Sequence, residues 1–134
     1  MPEHEIAALR RIYGAFARWD VDELAEAVTH DFEMVQPETL PWGGVFHGHD
    51  GFRAFADRFR EHVDGPWADP DEFLDAGDAI VVCGRMRGKA RKTGTAFEVP
   101  FVHVWSLSMG MPARIRIYLD TALFLEALGS PPAV

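Results

Sequence analysis

Four ionisable side chains stand out in a chain otherwise rich in aliphatic and aromatic residues. Phe101-Val-His-Val-Trp-Ser-Leu107 carries His103 between two aromatics, and Arg114-Ile-Arg-Ile-Tyr-Leu-Asp120 ends on Tyr118 and Asp120. Tyr13 belongs to an early segment of helical periodicity. An imidazole and a carboxylate facing one apolar pocket would form a general acid/base pair, and a phenol beside them would hold a developing oxyanion. Such groups are costly to bury without a partner or a purpose. Tyr118 and Asp120 lie two apart on a predicted strand, so both are expected on one face, towards the pocket. Each group also has a structural reading. Asp120 is suited to cap a helix starting at Thr121, His103 to be a hydrogen-bonded core residue, and the tyrosines to pack with their hydroxyls bonded.

The whole chain narrows the setting for this chemistry. Its 134 residues make one domain, 1–134, and a hydrophobic share of 48% fits a globular protein. No apolar run approaches the ~20 residues that span a bilayer, and Met1-Pro-Glu-His-Glu5 lacks the pattern of a secretory signal. A single cysteine, Cys83, permits no intrachain disulfide and reads as a buried structural thiol. A cytoplasmic setting is the expectation. The net charge of -8 argues against nucleic acid as a partner. The one basic cluster, Arg85, Arg87, Lys89, Arg91 and Lys92, reads as a solvated or interface strand face, with an anion site as the alternative. No phosphate loop or serine elbow occurs, so no cofactor is expected. His47-Gly-His49 fits a helix entry better than a metal site.

The elements that must position these groups follow from periodicity. Ile6, Leu9, Tyr13 and Phe16 recur at helical spacing, predicting a helix from about Glu3 to Trp19. Asp20-Val-Asp-Glu23 fits a capping box for a short second helix. A strand over Asp31–Pro37 follows, then a Pro- and Gly-rich loop holding Trp42, as a lid or as an anchor. A third helix carries Phe52, Phe55, Phe59 and Val63. Period two then predicts strands near Trp67–Ala76, Ala79–Arg91, Thr95–Leu107 and Ala113–Asp120, with turns at Gly77-Asp78, Lys92–Gly94 and Met111–Ala113. A final helix, Thr121–Leu128, stops at Gly129 before a Pro131-Pro132 tail. Helices first and long strands later indicate an α+β fold, a curved antiparallel sheet closing into a cone with the helices on its concave face. The opposite face, with Val102 and Val104, needs cover, and a second copy in a homodimer is the economical one.

In order and spacing the chain resembles the nuclear transport factor 2-like superfamily, in its SnoaL-like branch. The likeness rests on Tyr13-Gly-Ala-Phe-Ala17, Trp19-Asp-Val-Asp-Glu-Leu24, Asp31-Phe-Glu-Met34, Phe46-His-Gly-His-Asp-Gly-Phe52, Leu74-Asp-Ala-Gly-Asp-Ala-Ile-Val-Val82 and Arg114–Asp120. Ketosteroid isomerases in that superfamily place an aspartate base where Gln36 stands here, and an amide cannot take a proton from carbon. SnoaL-like polyketide cyclases are similar in having a His or Asp on the penultimate strand and an Asp near the end of the last, positions matched by His103 and Asp120.

The resemblance thus implies cofactor-independent isomerisation or cyclisation of a small hydrophobic carbonyl compound. His103 and Asp120 would move the proton, Tyr13 or Tyr118 would steady the oxyanion, and Phe16, Trp42, Phe59, Phe101 and Trp105 would line the pocket. A non-catalytic binding protein using the same pocket is the competing reading.

Overall fold

The computed structural model describes residues 2–129, so the expected Pro131-Pro132 tail lies outside the described residues. Helix α1 spans Pro2–Ala17 and α2 Val21–Glu26. Leu9, Ile12 and Tyr13 on α1 are buried, as their spacing requires. Between the helices Trp19 takes a left-handed φ of 54°. The Asp20 side chain then accepts from the Glu23 amide at 3.1 Å, capping α2.

Strands β1 (Glu33–Gln36) and β2 (Gly44–His47) form a short hairpin, and α3 covers Gly48–Arg60. Four longer strands follow: β3 (Val63–Asp75), β4 (Ala79–Ala90), β5 (Ala96–Ser108) and β6 (Met111–Leu119). Helix α4, Thr121–Leu128, ends at Gly129, whose φ of 83° is the left-handed geometry that favours glycine.

The six strands make one curved sheet in the order β2-β1-β6-β5-β4-β3, antiparallel except where β1 runs parallel to β6. The fold is the expected α+β one, a curved sheet with helices on its concave face, and the sheet stays open, with β2 and β3 as its edges among the described residues. The sequence missed β2, which is only four residues long and begins where the Pro- and Gly-rich stretch ends. Another correction concerns the last hairpin. Met109 and Gly110, with φ of 50° and 81°, make a two-residue turn, and Met111–Ala113 already belong to β6. A register shift between Ser106 and Leu107 takes up the irregularity.

Alternation sorts the sheet into two faces. Val82, Val99, Phe101, His103, Trp105, Ile115 and Ile117 are buried on the side of the helices. Val45, Val102 and Tyr118 are exposed on the other side, the face for which the sequence predicts a second copy. The basic cluster is largely neutralised. Arg85 and Arg87 both hold Glu98, Arg87 also holds Asp69, and Arg91 holds Asp64 at 2.6 Å. These hydrogen bonds raise the Arg87 pKa further and lower that of Glu98.

Gly84 on β4 is one place where the fold demands a missing side chain. A Cβ there would press on the Asp69 carbonyl oxygen and come within 2.8 Å of the Phe101 ring. Gly84→Ala should therefore cost roughly 1–3 kcal/mol, because backbone and ring would both have to shift. Urea denaturation checks this, and a change below about 0.5 kcal/mol, the usual size for a harmless surface substitution, would contradict it.

Candidate functional site

The concave face of the sheet and the helices enclose an apolar cavity. About 80 Å³ of it is open to the centre of a water-sized molecule, and its empty space including the mouth is about 650 Å³. That is several times the room one water needs. Helix α1 supplies Ile12, Tyr13 and Phe16, and α3 supplies Phe52, Phe55 and Phe59. The sheet adds Met34, Gln36, His103, Trp105, Ile115 and Ile117. Among the described residues, the polar side chains of its wall besides the Trp42 indole are Tyr13, Gln36, His103 and Trp105, and none is a carboxylate, lysine or arginine.

Three of these four are joined. The Trp105 indole Nε1–H donates to the Tyr13 hydroxyl oxygen at 3.0 Å. That hydroxyl lies 2.7 Å from His103 Nδ1. An indole only donates, so Tyr13 receives there and has its own proton to give. Were Nδ1 protonated, the hydroxyl proton would be orphaned, since no other partner for it exists among the described residues. Tyr13 therefore donates to Nδ1, and the imidazole carries its proton on Nε2. Phe101 stacks on the ring with centroids 3.9 Å apart. Burial lowers the His103 pKa from 6.5 to about 3, so the ring is neutral. Burial likewise pushes the Tyr13 phenol far up, and it stays protonated.

The other sequence candidates lie elsewhere. Asp120 is exposed and accepts from the Leu123 amide at 3.0 Å, capping α4. Tyr118 is 53% exposed on the outer face, opposite Val102. The expected His103–Asp120 pair is therefore absent. His103 faces Ile117 across the strands, and Ile115, Ile117 and Leu119 are the β6 residues that reach the cavity. Phe16, Trp42, Phe59 and Trp105 line the cavity, whereas Phe101 backs the imidazole from beside it. Trp42 is 1% exposed and wedged edge-on between Phe59 and Phe124, so it anchors its loop. Cys83 is half-buried. His47 and His49 act apart, His47 lying 3.9 Å from Glu33 and His49 bonding the Val28 carbonyl.

Gln36 is the residue the sequence undervalued. It is 5% exposed and lines the cavity. Among the described residues its Nε2 donates only to the Met34 sulfur at 3.5 Å, and its Oε1 has no partner.

Comparison with known proteins identifies the scaffold. A model described as a SnoaL-like domain matches residues 9–115.

The chain belongs to the SnoaL-like domain family.

This SnoaL-like chain is similar over 95% of its length to a nuclear transport factor 2-like protein of unknown function from Burkholderia pseudomallei. Identity is 30%, the TM-score is 0.88, and 98% of that chain is covered. TerC, co-crystallised with polyporic acid, is 29% identical at a TM-score of 0.88, with 95% of this chain and 99% of that one covered. A SnoaL-like polyketide cyclase, so described, from Jannaschia sp. CCS1 shares the fold at 19% identity and a TM-score of 0.80, over 97% of this chain and 94% of its own. Comparison with curated proteins gave no match. No described helix is long and apolar enough to cross a membrane.

The hydrogen-bonded chain generates two predictions. Tyr13→Phe leaves the Trp105 indole and His103 Nδ1 unpaired, and should cost roughly 2–4 kcal/mol in urea denaturation. The depressed His103 pKa also sets a pH window. Its contribution to stability is complete above 6.5, the ordinary value, and is lost as pH falls towards about 3. Between pH 7 and 4 the wild type should lose on the order of 2–3 kcal/mol more than His103→Gln, since that variant has no imidazole to protonate. Parallel stability curves for the two proteins would sink the assignment.

Proposed function

We propose that this SnoaL-like chain binds a small, uncharged, mainly apolar carbonyl compound in its cavity. The observation that carries this is the fixed tautomer of His103. A neutral imidazole with its proton on Nε2, in a wall without charges, offers one directed donor for a carbonyl oxygen. Aromatic side chains from two helices supply the apolar contact, and the absence of charge in the wall disfavours ions. TerC, similar over nearly the whole chain and crystallised with polyporic acid, supports a small organic occupant.

The enzymatic reading, isomerisation or intramolecular aldol cyclisation without a cofactor, has one specific support. The same Nε2–H donor would stabilise an enolate oxygen as well as it polarises a carbonyl, a use of neutral imidazole known in enzymes. Against it stands the missing base. Asp120 faces solvent, Gln36 cannot accept a proton from carbon, and His103 presents a donor to the cavity. Binding is therefore the leading reading.

The test uses acetylnaphthalene and ethylnaphthalene, alike in size but differing in the carbonyl. Calorimetric titration should give the ketone about tenfold tighter binding, a difference His103→Phe removes while the hydrocarbon still binds. Equal affinities in the wild type would count against the carbonyl assignment. Deuterium exchange at the methyl group beside the ketone, followed by NMR, separates the two readings. Exchange accelerated by the wild type and lost in His103→Phe would favour catalysis.

A further inference from the structure

The cavity has a second polar feature that the carbonyl does not use. Gln36 sits on β1 and His103 on β5, with β6 between them. The pairings Val35 with Arg116 and Ile117 with His103 place Gln36, Ile117 and His103 along one row of the sheet. Two strand spacings, about 10 Å of backbone, separate the outer members. All three side chains line the cavity, Gln36 and His103 on either side of Ile117.

Gln36 Oε1 is a buried acceptor without a partner among the described residues, and the sulfur that takes its Nε2–H is a weak acceptor at 3.5 Å. Turning the amide over does not help, because it sets Oε1 against the sulfur and orphans the nitrogen instead. An unpaired amide in an apolar wall is costly, and a leucine or methionine would fill similar space without that cost. His103 complements it. Among the described residues its Nε2 has no hydrogen-bond partner, and the Tyr13 bond fixes it as a donor.

We propose that Gln36 is a specificity-determining residue that accepts a hydrogen bond from the ligand, so that the occupant is a neutral hydroxy-carbonyl compound. Its carbonyl meets His103 Nε2–H, and its hydroxyl, at the other end of a ring-sized apolar body, meets Gln36 Oε1. This rests on the binding reading above and adds the second polar group to it. The hydroxyl must be un-ionised, because no cation among the described cavity residues would hold a phenolate.

The probes are an acetylnaphthol with hydroxyl and acetyl on opposite rings, its methyl ether, and acetylnaphthalene. Titrations are run below the naphthol pKa, with thermal melting to show that each variant is folded. The naphthol should bind about tenfold tighter than the ether in the wild type, since the ether leaves Oε1 unpaired. In Gln36→Leu that ratio should collapse towards one, while acetylnaphthalene binds at least as well as before. Gln36→Met serves the same purpose if the leucine variant does not fold. Equal binding of naphthol and ether to the wild type, as when a resident water satisfies Oε1, overturns the inference and leaves the carbonyl site standing. A naphthol preference that persists unchanged in the folded Gln36 variant also overturns it. If none of the three probes binds, the binding reading falls and the inference falls with it.

Discussion

The hydrogen-bonded chain from the Trp105 indole through the Tyr13 hydroxyl to the His103 imidazole joins α1 to β5 through the middle of the core. Its three groups are nearly dry, so each depends on the others to satisfy a proton or lone pair. The chain fixes where the first helix lies on the sheet. It also decides the charge and tautomer of the histidine, because the phenol remains protonated and delivers its hydrogen to Nδ1. Packing and chemistry therefore share one set of bonds. The helix cannot shift along the sheet without leaving the imidazole free to reverse its donor and acceptor edges.

A consequence is the character of the cavity. A histidine in contact with water titrates near neutrality and serves as acid or base. Here the surrounding apolar wall suppresses that behaviour, and the ring acts as a fixed dipole. The groups that would have supplied ionic chemistry sit outside. Asp120 is engaged with the first turn of α4, and the arginines of β4 are engaged with Asp69 and Glu98. The polar groups of the cavity wall are thus neutral, and what they offer is directed hydrogen bonds rather than charge.

Much of this arrangement was legible in the sequence because it is local. The Asp20 and Asp120 caps, the turns at Gly77-Asp78 and Lys92–Gly94, and the shared inward face of Phe101, His103 and Trp105 all follow from short-range rules. The failure on β6 is instructive. In Arg114-Ile-Arg-Ile-Tyr-Leu-Asp120 the apolar members are Ile115, Ile117 and Leu119, and strand alternation sends Tyr118 and Asp120 outward with the arginines. The same alternation that buries the isoleucines keeps the carboxylate away from the histidine. The Met109-Gly110 turn was harder to see, since methionine is an unusual occupant of a left-handed position. Alternation places Gln36 on the inward face with Met34, but its polarity and its position at the strand end mask that signal. A glutamine before a proline looks like the end of a strand, and only the packing of β6 and the helices around it makes it a buried wall residue.

The open sheet leaves two edges, and their residues bear on whether a further strand can add to it. The β3 edge carries Pro66 and Pro70, which have no amide hydrogen to offer, and register shifts lie between Asp64 and Trp67 and between Pro70 and Glu72. The β2 edge offers only four residues. Neither presents the long, flat ladder on which another strand, native or misfolded, can grow. Strand-by-strand aggregation is thereby discouraged at both ends of the sheet.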